Sequence, residues 1–196
     1  MRKETSLDRI VLRAVRWIMG NSNWQADRFA QTLQVVFENV LAGGIAAAAH
    51  GAARVTRDFD ITPEWESENL QRLSAALASM EAKLRVPGSS PDSRELVDYP
   101  LSGAGLRSFE VSTWRTKHGD LDIVQGTPKE SGGLADYDEL SRRANDVEAY
   151  GLTISIASLD DIIESKRVLK REPDLAALPE LYSLRDATNP DSGIDK

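Results

Sequence analysis

The chain contains no cysteine among its 196 residues. That excludes a disulfide framework and a thiolate zinc site, and it favours a reducing compartment. Its two histidines, His50 and His118, are too few for a histidine-built metal cluster. Aromatic residues make up only 6%, and Trp17, Trp24, Trp65 and Trp114 are scattered instead of spaced as a stacking platform for bases. They read as core or interface residues. No apolar run approaches the ~18 residues of a membrane span, and residues 1–6 lead into an amphipathic pattern, not an apolar signal core. A soluble cytoplasmic protein with no membrane association is the expectation. Basic residues are outnumbered 24 to 31, a net charge of −7, which argues against nonspecific coating of nucleic acid while leaving room for a local basic groove. The 41% of hydrophobic residues suffices for one domain burying roughly 70% of its unfolded surface, or for two small lobes.

Apolar residues at Leu7, Ile10, Val11, Ala14, Val15 and Ile18 repeat with helical spacing, and Phe29, Leu33, Val36, Phe37 and Val40 continue it in a second helix. This helix feeds Leu41 and Ala42 into a glycine pair. Ala46 to His50 reads as a short helix and Arg57 to Pro63 as a strand. A longer helix follows, with Leu70, Leu73, Leu77, Met80 and Leu84 on its buried face. Between Val86 and Leu106 the Pro, Gly, Ser and Asp content marks an exposed connection or hairpin flap. Phe109, Val111 and Thr113 alternate as one strand, and Asp120 to Gln125 returns antiparallel after the turn at Lys117–Gly119. The loop from Gly126 to Leu134 separates this region from a C-terminal part with a strand over Leu152–Ile156 and helices near Leu159–Arg171 and Leu175–Arg185. The reading is an α/β (α+β) chain. Residues 1–130 form N-terminal helices and a small mixed sheet flanked by helices; residues 131–196 form a mostly helical lobe ending in a disordered tail.

The segment from Gly43 to Ile61 carries the chemistry. Asp58 and Asp60 are two apart on a strand, so both carboxylates project from one face. Magnesium is commonly held by one or two carboxylates with substrate phosphates completing its octahedron. Glycines at a helix start, here Gly43 and Gly44, let backbone N–H groups approach a phosphate where the dipole favours an anion. Together these residues point to a nucleoside triphosphate held by metal.

The ordered set Gly43-Gly44, His50-Gly51, Arg54, Thr56, Asp58 and Asp60 resembles the signature of the DNA polymerase β-like nucleotidyltransferase superfamily. Its wording is most similar to the AbiEii-like branch, toxins of bacterial toxin–antitoxin pairs that include the MenT group. The resemblance implies a third metal carboxylate on a neighbouring strand, an acid surrounded by aliphatics. Leu121-Asp122-Ile123-Val124 fits that pattern, and an acid in an apolar strand is costly to bury without a partner. Asp120 shares the same face and is the alternative third ligand. The resemblance also implies that Lys166 contacts the triphosphate and that Asp174 introduces the last helix; an aspartate there equally serves as a cap or ion-pair partner. The family more often has a lysine just before that aspartate, where Pro173 stands here. Lys166 with Lys170, and Arg167 with Arg171, form a basic stripe that reads either as a phosphate grip or as a solvated face.

Arg54 pairs with a carboxylate or phosphate on this reading. Thr56 shares a face with Asp58 and is placed to bind a metal-linked phosphate or to be modified; a phosphoryl group there would add roughly −1.5 to −2 charge and block nucleotide binding. His50 reads as a helix cap more readily than as a catalytic group. The implied reaction moves a nucleoside monophosphate from an NTP to a hydroxyl, using magnesium, typically two ions about 3.5 to 4 Å apart. The implied acceptor is the 3′ end of tRNA, whose extension blocks aminoacylation and translation, and the implied partner is a cognate antitoxin. A small-molecule (antibiotic-type) transferase, a protein-modifying transferase, and a nucleotide- or partner-binding protein without catalysis are the alternatives. Motifs leave open the preferred NTP, the tRNAs touched and the oligomeric state.

Overall fold

The computed structural model describes residues 38–53, 58–88, 94–149 and 152–188. The expected helices before residue 38, with Trp17 and Trp24, lie outside the described residues, as do Arg54, Thr56 and Arg57 and the tail beyond residue 188.

The hairpin expected around Lys117 organises the sheet. Strand β5 (Val111–Thr116) returns as β6 (Gly119–Val124) through a tight turn, with Gly119 at φ 140°, a conformation open to glycine. Ser112, Trp114, Thr116, Leu121 and Ile123 alternate onto one buried face, leaving Val111, Thr113, Arg115, Asp120 and Asp122 for the other. Helix α2 (Ser67–Ser79) covers the buried face with Leu70, Leu73 and Leu77, spaced to form one stripe. Asn69 anchors its start, donating to the carbonyls of Glu38 and Glu64 at 2.8 Å and accepting from the Glu38 N–H at 2.7 Å. The helix stops at Met80, where Glu81 takes a left-handed φ of 56°. Leu84, expected on this helix, therefore lies on the next strand, β3 (Lys83–Pro87), and buries the same apolar side chain against the core from the sheet.

Strand β3 pairs with β4 (Arg94–Val97) in the expected flap, and α3 (Gly103–Arg107) closes that end of the core through the buried Leu106. Two further strands precede α2. β1 (Asn39–Ala42) runs into α1 (Gly43–Ala49), and β2 (Asp58–Pro63) lies between β1 and β6. Val40 thus belongs to a strand and not to the end of a helix. Its neighbours on both sides supply ladder hydrogen bonds, and that tertiary pairing overrides the local helical spacing.

After β6 come a short two-stranded pair, β7 (Thr127–Pro128) with β8 (Leu134–Ala135), and helix α4 (Tyr137–Arg143). Strands β9 (Asn145–Ala149) and β10 (Leu152–Ile156) then rejoin the main sheet, because β10 pairs parallel with β1. Among the described residues the result is an eight-stranded mixed sheet, larger than expected, in the order β4-β3-β5-β6-β2-β1-β10-β9, flanked by helices. Among the described residues, only β1–β10 and β2–β6 pair in parallel. The fold class is α/β, as read from the sequence.

Helices α5 (Leu159–Leu169) and α6 (Glu172–Thr188) stand where the C-terminal pattern placed them. With α1 they enclose a second core of Val40, Ala46, Ile156, Ile162 and Leu181. The alanines of α1 allow this close approach. Ser158 caps α5, accepting from the Asp161 N–H at 3.2 Å, and buried Asp161 receives the Arg143 guanidinium at 2.7 Å from α4. His50 Nε2 meets the Ala157 carbonyl at 2.9 Å, tying the end of α1 to the strand–helix corner; burial lowers its pKa. Among the described residues, no helix is long and apolar enough to cross a membrane.

Candidate active site

The parallel pairing of β2 with β6 sets Asp58 opposite Asp120 and Asp60 opposite Asp122 on the same face of the sheet. Adjacent strands lie roughly 4.8 Å apart, so two pairs of like charges face each other, an arrangement that costs stability unless something compensates. The charge of Asp120 is compensated within the protein. Asp120 accepts from Arg85 of β3 at 2.6 Å and from Arg115 of β5.

In the Asp60–Asp122 pair, burial and crowding work against ionisation. Burial, then the charges of Asp122 and Asp58, push Asp60 up to about 7, opposed by the Gly44 N–H and the Arg171 charge. Burial first, then Asp58 and Asp120, also raise Asp122, against a hydrogen bond from Thr113 and the charge of Arg85. The Asp122 Oδ1 atom is buried with no hydrogen-bond partner. A buried acceptor without a donor, in a group of crowded carboxylates, has the chemistry of a hard-cation ligand. Among the described residues, no three acidic, histidine or cysteine side chains already converge as a metal cage. Crowded carboxylates of this kind suit a cation whose remaining ligands come from substrate oxygens and water.

The glycine pair is built around the same carboxylate. Ala42 is the register partner of Asp60, so the chain turns from β1 into α1 directly beside it. Gly43 has φ 59°, and a Cβ on it would stand 1.9 Å from Asp60 Oδ2. Gly44 gives its N–H to Asp60. The glycines make room for Asp60 and hold it, a task separate from the expected approach to a phosphate.

The facing wall comes from α5 and α6. Asp174, only 3% exposed, accepts from Lys166 Nζ at 3.1 Å and from Arg171 Nε at 2.6 Å. Burial opposes its ionisation, but the hydrogen bonds and charges of Arg171 and Lys166 outweigh it and hold the carboxyl below its ordinary pKa. Arg171 is 67% exposed and its charge reaches both Asp60 and Asp58. The basic stripe divides accordingly. Lys166 and Arg171 line a cavity of about 510 Å³ together with Gly43, Asp58, Asp60 and Asp122, whereas Arg167 turns to Glu130 at 2.9 Å.

The structure thus brings Gly43, Gly44, Asp58, Asp60, Asp122, Lys166 and Asp174 to one cavity. Asp120 stands beside it in an ion-pair cluster, and Arg54 and Thr56 belong to the segment outside the described residues. Two charged cavity residues, Arg171 and Glu180, gain their place at the site only from the fold. Arg171 was one cation of a stripe, distinguishable only once α5 ends at Lys170 with φ 52° and the chain turns toward the carboxylates. Glu180 lines the cavity from α6 and accepts from the Ala53 N–H at 2.7 Å, a partnership across 127 residues that leaves no local signal.

No family model and no curated protein sequence matches the chain. Among solved structures it is similar to a Thermotoga maritima protein described as a nucleotidyltransferase, with 18% identity over 92% of this chain and 91% of that one and a TM-score of 0.41. It is also similar to the lincosamide antibiotic adenylyltransferase LnuA in its lincomycin-bound form, with 15% identity over 88% of this chain and 96% of that one and a TM-score of 0.46.

Proposed function

We propose that this chain is a metal-dependent nucleotidyltransferase that moves a nucleoside monophosphate from an NTP to the 3′ end of tRNA, and that it acts as a toxin restrained by a cognate antitoxin. The observation that carries the transferase reading is the register of β2 and β6, which sets Asp58, Asp60 and Asp122 on one wall of a cavity whose other wall presents Lys166 and Arg171. Acids on one side and cations on the other suit a metal-bound triphosphate. The tRNA and toxin parts rest on the motif resemblance through Gly43, Gly44, Arg54, Thr56, Asp58 and Asp60.

Asp58, Asp60 and Asp122 would hold magnesium, which when bound neutralises triphosphate charge and favours the ionised nucleophile. Lys166 and Arg171 bind the leaving phosphates, and Asp174 orients both cations from beneath. Gly43 leaves room for the Asp60 carboxylate and the Gly44 N–H holds it. Thr113 fixes the Asp122 carboxylate through its hydroxyl. In the transfer, the acceptor oxygen forms a bond to the α-phosphorus, the bond from that phosphorus to the bridging oxygen breaks, pyrophosphate leaves, and the hydroxyl proton passes to the carboxylate cluster.

The test is incubation of the purified chain with total tRNA, magnesium and each labelled NTP in turn, beside an Asp60→Ala control. Label on tRNA that disappears in the control is the expected result and names the nucleotide. Folded protein that labels no tRNA from any NTP would overturn the acceptor and direct attention to small hydroxylated molecules and proteins.

A further inference from the structure

The face of the sheet that bears the carboxylates continues past them as a band of cations. Across the strands, Asp58 is opposite Asp120, Asp120 opposite Arg115, and Arg115 opposite Lys83. Arg85 is two residues from Lys83 and so shares its face, and Arg94 on β4 is the register partner of Pro87, two residues further on. The opposite face of these strands is the core side, where Leu84, Val86 and Val97 pack against Trp114 and α2. The cation-bearing face is uncovered among the described residues. Val111 is 59% exposed and Leu96 48%, both on this side.

By formal charge, the four cations Lys83, Arg85, Arg94 and Arg115 outnumber the two acids Asp98 and Asp120 on this flank. Arg85 and Arg115 converge on the single carboxylate of Asp120, and among the described residues Lys83 meets the highly exposed Asp98, at 3.5 Å. An exposed pair of that kind holds its cation weakly. In a chain of net charge −7, one flank of the cavity is therefore locally cationic.

The chemistry of transfer gives that flank a use. Displacement at phosphorus is in line, so the attacking and leaving oxygens lie on opposite sides of the reacting atom. Lys166 and Arg171 occupy the α5–α6 side of the carboxylates, the side of the leaving phosphates. The nucleophile then has to enter over β6 and β5. From β2 to β3 is three strand spacings, about 14 Å, a distance a few nucleotides span.

We propose that Lys83, Arg85, Arg94 and Arg115 form the docking surface for the phosphodiester backbone of a nucleic-acid acceptor, with Asp120 holding Arg85 and Arg115 in place beside the metal carboxylates. This rests on the transferase reading above and specifies the class of its second substrate. A cationic acceptor of the aminated-sugar kind would be repelled by the same flank.

The test reads acceptor binding separately from catalysis. Binding of fluorescent tRNA is measured by anisotropy across a salt series without magnesium or nucleotide, using the full chain, Lys83→Glu/Arg94→Glu, and Arg115→Gln. Lys83 and Arg94 are exposed, so the double variant is expected to fold, and thermal melting checks it. The expected result is at least a tenfold loss of tRNA affinity at low salt and a log–log salt slope shallower by about 1.5, since each lost phosphate contact removes roughly 0.7–0.9. Affinity for a non-hydrolysable NTP with magnesium is expected to stay within twofold. An unchanged slope, absence of tRNA binding by the unaltered chain, or equal loss of NTP affinity would each overturn the proposal. So would polyglutamate competing as well as RNA of equal charge, which would reassign the face to an acidic protein. Failure of the transferase reading shows separately, as no binding of the NTP analogue by the unaltered chain.

Discussion

Gly43 is the residue whose identity is most tightly constrained. Its left-handed φ disfavours any side chain, and a methyl group there would collide with the Asp60 carboxylate. Gly43→Ala is expected to displace Asp60, reduce nucleotide transfer at least a hundredfold, and cost about 1–3 kcal/mol from backbone strain, read by denaturant unfolding. Gly44 has no positive φ, so its substitution is expected to act through the N–H geometry at Asp60 alone. Asp60 also predicts a pH dependence. Its folded pKa, about 7, lies above the ordinary 3.8, so the folded state retains a proton that the unfolded chain gives up as pH rises between those values. Stability from this group is fully present below about pH 4 and is lost as pH rises to 7. Thermal melting of metal-free protein should fall across that window, Asp60→Asn should flatten the fall, and magnesium should raise the melting temperature more at pH 8 than at pH 5. Equal magnesium effects at both pH values would contradict this reading of the carboxylate cluster.

At the scale of the element, the turn between α5 and α6 sets the cationic wall. Lys170 adopts φ 52° to end α5, and Pro173 opens α6 in its first turn, where a missing N–H costs no helical hydrogen bond. Asp174 then falls under both Lys166 and Arg171. Because Asp174 and Lys166 are both largely buried, Asp174→Asn leaves a buried cation with a weakened partner and is expected to cost up to about 3–5 kcal/mol. Arg171→Gln removes a mostly exposed charge and should cost no more than about 1 kcal/mol while still weakening NTP binding. Paired stability and NTP-binding measurements separate the two roles; similar destabilisation by both substitutions would sink the distinction. The sequence offered Asp174 either as a cap or as part of the site, and its geometry makes it the support of two cavity cations.

For the whole molecule, the sheet is continuous across the loop expected to divide it. Strand β10 pairs with β1, and α5 and α6 share a core with α1. Truncation after residue 136 would therefore strip β1 of one neighbour and expose Val40, Ala46 and Ala47. The fragment is expected to lack cooperative unfolding, monitored by circular dichroism, and a two-state melt like that of the full chain would show instead that the first part folds alone.

Much of the local architecture was legible in the chain: the period-two alternation of β5 and β6, the 70–73–77 stripe of α2, and the common face of Asp58 and Asp60 are all carried by neighbouring residues. Apolar spacing alone points to helices at Val40 and Leu84, because it registers burial without naming the partner that covers it. Asp122 stood out as an acid in an apolar strand, but its position opposite Asp60 comes from a parallel pairing of strands some sixty residues apart. Arg85 on Asp120 and Glu180 on Ala53 depend likewise on distant segments meeting. The sequence by itself determined which residues turn, alternate and carry charge, because steric and periodic preferences act over a few neighbouring residues. Only the tertiary structure decided which carboxylates are crowded, which cations face them and which flank of the sheet stays open, because Coulombic and packing energies depend on distances that the fold creates.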